Sequence, residues 1–171
     1  MKPIFWSLLL CSQLLSAQAF DFGGGATVSV GLQDEWGVNM RAQYHQESDW
    51  SYLTAYNLFF RRDVTTQNTE TFSEFGASIN YKLLSIDQIT ILGGLGYTLN
   101  NFEMRKNHPD TSNNLFFQTG DFNHGAELKF IGFLPLGESF RLFAEFNLKS
   151  FGRRYDSFTF GLVYRIQASG T

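Results

Sequence analysis

The sequence predicts an all-β chain, an eight-stranded antiparallel transmembrane barrel of the up-and-down kind. Three observations predict it. Along residues 36–45 every second residue is apolar (Trp36, Val38, Met40, Ala42, Tyr44), while Gly37, Asn39, Arg41, Gln43 and His45 fall between. Side chains alternate across a strand, so this stretch has one apolar face and one polar face. The pattern returns about eight times along the chain. It follows an N-terminal export signal, and no later apolar run approaches the roughly 18 residues of a spanning helix.

The export signal is residues 1–19. Lys2 precedes an apolar core at 4–15, and Ala17-Gln18-Ala19 supplies small residues for cleavage. Cleavage after Ala19 leaves 171 − 19 = 152 residues, a single domain over 20–171. Cys11 is the sole cysteine, and bulky Leu10 before it argues against lipoprotein processing. The mature chain therefore holds no disulfide and no Cys-ligated metal. Removing Lys2 takes the formal charge from −3 to −4, which gives nucleic acid no polybasic face. The aromatics are abundant, with 19 Phe, 7 Tyr and 3 Trp.

The strands follow in order. The first is 26–33, with Ala26, Val28, Val30 and Leu32 on one face, and Gly23, Gly24 and Gly25 read as a flexible lead-in. A tight turn at Asp34-Glu35 leads to the second, 36–45. The third, 50–61, sets Tyr52, Tyr56, Leu58 and Phe60 on one face, yet Leu53 and Phe59 fall on the other. The fourth, 71–83, opposes Phe75, Ala77, Ile79, Tyr81 and Leu83 to Glu74, Gly76, Ser78, Asn80 and Lys82. The fifth, 88–99, opposes Ile91, Leu95, Tyr97 and Leu99 to Gly94, Gly96 and Thr98. The sixth, 116–131, opposes Phe122, Ala126, Leu128 and Phe130 to Asn123, Gly125, Glu127 and Lys129. The seventh, 139–150, opposes Phe140, Leu142, Ala144, Phe146 and Leu148 to Arg141, Glu145, Asn147 and Lys149. The eighth, 157–166, opposes Phe158, Phe160, Leu162, Tyr164 and Ile166 to Thr159, Gly161 and Arg165. Pro109 and Pro135 are assigned to connections, because proline cannot donate to a ladder.

Alternation leaves open which face points in. In a soluble lipocalin-like barrel the apolar face lines a ligand cavity. In a membrane barrel it meets lipid. Lipid is favoured by the inward glycines, by aromatics near strand ends (Trp36, Tyr44, Trp50, Tyr52, Tyr81, Phe140, Phe158, Tyr164), and by loop lengths. With both chain ends on one side, the two longest loops, 62–70 and 100–114, fall together on the other side, as short-periplasmic, long-extracellular topology requires.

The chain's end carries a resemblance. Thr159, Gly161, Tyr164 and Ile166 stand at the spacing of the C-terminal β-signal of outer-membrane proteins, and five residues, 167–171, follow it. In size and pattern the mature chain resembles the small eight-stranded barrels of the OmpX and OmpA transmembrane-domain type. The resemblance implies an outer-membrane location, outer-membrane lipid around the barrel and the barrel assembly machinery as a partner in biogenesis. The expected role is structural or one of surface interaction, with or without minor pore activity, and the long loops 62–70 and 100–114 on a rigid scaffold are the expected site of an extracellular ligand. No cofactor is expected.

The inward face carries nine charged residues: Arg41, Glu74, Lys82, Glu127, Lys129, Arg141, Glu145, Lys149 and Arg165. An eight-stranded lumen is just wide enough to be filled by side chains, and buried charges must be paired. These residues are therefore expected to form a salt-bridge plug. The OmpA-type resemblance implies a second use, a charge network that rearranges to admit ions. Some barrels of this size modify lipid A, and a PagL-type deacylase carries His-x-Ser on its penultimate strand. The matching stretch here is Phe146-Asn147-Leu148, without nucleophile or base. His45 is expected to hydrogen-bond in the lumen, His124 to sit on the outward face and His108 to be solvated in a loop. Three dispersed histidines do not make a metal site. A lipocalin-like ligand binder and a lipid A-modifying enzyme are the two other classes considered.

Overall fold

A computed structural model of the chain describes residues 19–30, 35–46, 48–62, 69–101, 123–150 and 156–167. Residues 1–18 of the expected export signal, Leu32, His108, Pro109, Phe116 and Phe122 lie outside these residues. Eight strands run β1 (Ala19–Val30), β2 (Trp36–His45), β3 (Trp50–Arg62), β4 (Thr69–Ile86), β5 (Ile89–Asn100), β6 (Asn123–Pro135), β7 (Phe140–Lys149) and β8 (Asp156–Gln167). Each pairs antiparallel with the next, and β1 pairs with β8 to close the barrel. Closure leaves no free sheet edge, which is what a bilayer demands of strands.

The apolar face points outward. Met40, Trp36 and Leu95 are 68%, 58% and 71% exposed, whereas Asp21, Asn80 and Thr98 on the inner face are fully buried. This is the reverse of a lipocalin-like arrangement. The aromatics pair across strands on the outer face. Tyr44 meets Tyr52, Trp50 meets Tyr81, and Phe140 meets Tyr164, with ring centroids 6.0, 5.0 and 5.2 Å apart. These pairs gather near one rim. Trp36 and Phe60, 4.8 Å apart, lie near the other. Aromatics at both rims of an apolar band are the pattern expected of a barrel surface in lipid.

Connections sort by length. The turns at 46–49, 87–88 and 136–139, with Ala19 and Gln167, occupy one mouth, the short-turn mouth. The connections at 31–35, 63–68, 101–122 and 150–155 leave from the other, the long-connection mouth.

Four details differ from the expectations. β1 begins at Ala19 rather than 26, and Gly23, Gly24 and Gly25 are central strand residues paired with Val163, Leu162 and Gly161. They hide the alternation because they carry no side chain to show it. β4 continues to Ile86 through a bulge between Lys82 and Leu84. A bulge adds one unpaired residue, so Leu83, Leu84 and Ile86 are all exposed. The turn after it is only Asp87-Gln88, with Asp87 at φ 51°, a conformation that Asp tolerates better than most residues. Pro135 closes β6 opposite Arg141 rather than lying in the turn, as proline can at a strand end.

Candidate functional site

The lumen is layered. At the short-turn mouth, β1, β2, β7 and β8 turn Asp21, His45, Arg141 and Arg165 inward. Next along the barrel axis comes an apolar layer of Leu53, Leu92, Ile131, Phe133, Phe143 and Val163, each at most 4% exposed. Beyond it lies the charge layer. At the long-connection end Phe59 and Phe72 stack at 4.8 Å and 11°, both buried. The charged side chains therefore sit between two apolar layers.

In the first half of the charge layer, Arg41 NH2 donates to Glu145 Oε2 at 2.8 Å. Lys129 Nζ stands 3.3 Å from Glu145 Oε1 and 3.1 Å from Glu127 Oε1. Asn147 Nδ2 donates to Glu127 Oε2 at 2.9 Å. The Arg41 guanidinium also lies 4.1 Å from the centre of the Phe143 ring, on the neighbouring apolar layer. In the second half, Lys149 Nζ donates to Glu74 Oε1 at 2.6 Å, and Asn57 Nδ2 to the same oxygen at 3.0 Å. Asn39 Nδ2 donates to Asn57 Oδ1 at 2.6 Å. Among the described residues, three cations meet three carboxylates, a formal balance of charge. Balance is a physical requirement here, since each unpaired buried ion costs several kcal/mol.

Glycine makes room for this layer. A Cβ on Gly96 would stand 2.6 Å from Glu127 Oε1. The inward glycines thus serve the packing of long charged side chains as well as strand curvature.

Six of the nine expected lumen charges come together in this layer: Arg41, Glu74, Glu127, Lys129, Glu145 and Lys149. Arg165 does not join it. It forms a two-pronged pair with Asp21 at the short-turn mouth, with Nε to Oδ1 at 2.6 Å and NH2 to Oδ2 at 2.7 Å. Arg141 stands at that mouth as well. Lys82 is a correction: its side chain is 44% exposed and pairs with Asp49 at 2.9 Å on the rim. It shares the inward parity of Asn80 and Ser78, but the stagger of the strands brings it level with the mouth.

Asp21 and the apolar layer escaped the reading of the sequence. Asp21 alternates with Phe20 and Phe22, a signal interrupted by the glycines that follow. The one visible trace of the apolar layers was Leu53 and Phe59 on the wrong face of the third strand. His45 hydrogen-bonds Asp21, with Nε2 to Oδ2 at 2.8 Å. His124 is exposed on the outer face against the Tyr97 hydroxyl. Among the described residues no His, Cys, Asp or Glu group converges as a metal site requires.

The β-signal residues lie on β8. Thr159 faces in, and its hydroxyl donates to Thr27 Oγ1 at 2.9 Å. Tyr164 and Ile166 face out, 47% and 50% exposed. Gly161 sits opposite Gly25 where the barrel closes.

No protein-family model matches the chain, and no curated protein matches it in sequence. Solved structures do match in fold. Ail of Yersinia pestis, an outer-membrane protein solved in a phospholipid bilayer nanodisc, is 13% identical with a TM-score of 0.58, over 88% of this chain and 99% of that one. Neisserial surface protein A is 14% identical with a TM-score of 0.57, over 87% and 94%. The N-terminal β-barrel domain of Pseudomonas aeruginosa OprF is 12% identical with a TM-score of 0.54, over 88% and 98%. Closed through eight strands, apolar outside and charged within, the chain has the fold of the small eight-stranded outer-membrane barrels.

Proposed function

We propose that the protein is a bacterial outer-membrane barrel that serves as a rigid, non-conducting scaffold for surface contacts. The observation that carries this reading is the inversion of polarity: an apolar outer face with aromatics at both rims, around a buried polar interior. The connections at 63–68 and 101–122 leave from the same mouth, where long loops on a fixed scaffold would meet partners. The fold is shared with proteins named for attachment and invasion and as a surface protein, which supports a contact role.

Expression with the native N-terminus, followed by membrane fractionation, tests the placement. The expected result is a band in the outer membrane that needs detergent for extraction and shifts in gel mobility on boiling. Protease added to intact cells should cut within 101–122 and spare the turns. A soluble periplasmic protein would overturn the reading. For the contact role, expressing cells should gain adhesion to cultured epithelial cells, and deletion of 101–112 should remove it. Undiminished adhesion after the deletion would reject the loop as the contact element.

The pore reading meets a physical obstacle. An ion crossing the lumen would pass the Leu53, Leu92, Ile131, Phe133, Phe143 and Val163 layer and then the Phe59–Phe72 stack. Apolar constrictions exclude hydrated ions. Purified protein in planar bilayers is expected to show no discrete conductance steps. Steps that change size in Glu127→Ala would instead make the charge layer a gate.

A further inference from the structure

At the short-turn mouth, four ionisable side chains converge outside the charge layer. Asp21 is fully buried, and both its oxygens are taken, by the fork of Arg165 and by His45. Arg141 faces the same mouth from β7, one strand from Arg165, and is only half-buried. Among the described residues, no carboxylate pairs with its guanidinium. The neighbouring rim cation, Lys82, has its own partner in Asp49. Two guanidiniums and an imidazole thus share one carboxylate, three of whose four acceptor sites are already used by Arg165 and His45.

The mouth's floor sharpens the imbalance. The His45 ring lies edge-on to Phe133 at 6.3 Å, and Val163 is paired with Arg141 in the ladder. Apolar residues beneath the cations lower the local dielectric, so a counter-charge is held more strongly there than in open water. A guanidinium presents a planar fork of donors that matches an oxyanion. Arg165 is already orientated by Asp21, and Arg141 has no ion-pair partner among the described residues.

We propose that this mouth binds a single phosphate-type oxyanion, held by Arg141 and by the outward side of the Arg165–Asp21–His45 cluster. The group could reach it as free phosphate or as a lipid headgroup of the adjoining leaflet.

The test uses the whole mature protein refolded in maltoside micelles, without phosphate in buffer or detergent. Inorganic phosphate is titrated while the arginine Nε–H signals are followed by NMR. Saturable shifts of the Arg141 and Arg165 signals are expected. Arg141→Gln should raise the dissociation constant by about tenfold or more, the loss of one charge-assisted hydrogen bond. Arg141→Lys keeps the charge and loses the fork, and should bind with intermediate affinity. Lys82→Gln, on the same rim, should bind as the parent does. Gel mobility with and without boiling confirms that each variant is folded. In phosphatidylglycerol nanodiscs, signals already shifted and insensitive to added phosphate would identify the headgroup as the source. Signals that still titrate would identify the free anion. A shift that sodium chloride reproduces at equal ionic strength, or one unchanged in Arg141→Gln, would overturn the proposal.

Discussion

Glu145→Ala is expected to destabilise the folded barrel by about 3–5 kcal/mol, the range for removing one partner of a buried ion pair. Glu145 is 3% exposed and accepts from both Arg41 and Lys129. Its removal leaves two buried cations facing one remaining carboxylate, Glu127, with the apolar cluster on one side and the Phe59–Phe72 stack on the other. Arg41 and Lys129 are themselves 4% and 2% exposed. Urea unfolding in lipid vesicles, followed by tryptophan fluorescence and by gel mobility, measures the loss. Lys82→Ala is the matched surface case. Its pair with Asp49 is nearly half exposed on both sides, and solvent screening limits the effect to about 1 kcal/mol or less. Replacing Arg41, Lys129, Glu127 and Glu145 together by apolar residues of similar size should cost far less than Glu145→Ala alone. That contrast separates an uncompensated charge from a lost contact. A Glu145→Ala variant as stable as Lys82→Ala would mean that water reaches the charge layer, and the lumen would not be sealed.

The outer half of this molecule was legible because it is written locally. Whether Val38 and Met40 share a face depends only on the alternation of a strand, and exposure of both follows once that face meets lipid. The inner half was legible in identity but not in arrangement. Nine charges could be assigned inward, yet which of them meet depends on how far each strand is staggered against the next, and that is fixed by closure. Glu145 and Arg41 stand on β7 and β2, far apart in the chain, and no local pattern pairs them. The same stagger lifts Lys82 out to the rim although its parity is inward. The apolar layer was hidden for another reason. Phe143 and Val163 lie inward on strands whose outward face is apolar too, so they blur the period instead of marking a site. Asp21 was lost because three glycines separate it from the readable part of β1.

Those glycines lead to the second large effect, at the seam where β1 meets β8. Gly161→Val and Gly25→Val are each expected to abolish the closed barrel, seen as loss of the band that changes mobility on boiling. Gly25 and Gly161 face each other in register. A Cβ on Gly161 would overlap the Gly24 carbonyl oxygen and stand 2.5 Å from Gly25 Cα. One on Gly25 would overlap the Phe160 carbonyl oxygen and stand 2.8 Å from Gly161 Cα. These obstacles are backbone atoms of the partner strand, which cannot turn aside as a side chain can. Relief requires the two strands to separate, and separation exposes ladder groups to lipid at several kcal/mol each. Gly132→Ala is the control, because its Cβ would meet only the Ala144 carbonyl oxygen at 3.9 Å. It should fold normally and gain up to about 1 kcal/mol from the reduced freedom of the unfolded chain. Refolding from urea into micelles, with no cellular machinery, then separates two roles for Gly161. If Gly161 matters only as part of a recognition motif, Gly161→Val refolds in the tube and fails in cells, while Gly25→Val, outside the motif, succeeds in both. If the seam's packing is what requires glycine, both variants fail in the tube. The geometry predicts the second result, and with it a structural reason for a glycine at the third position of the Thr159–Ile166 stretch.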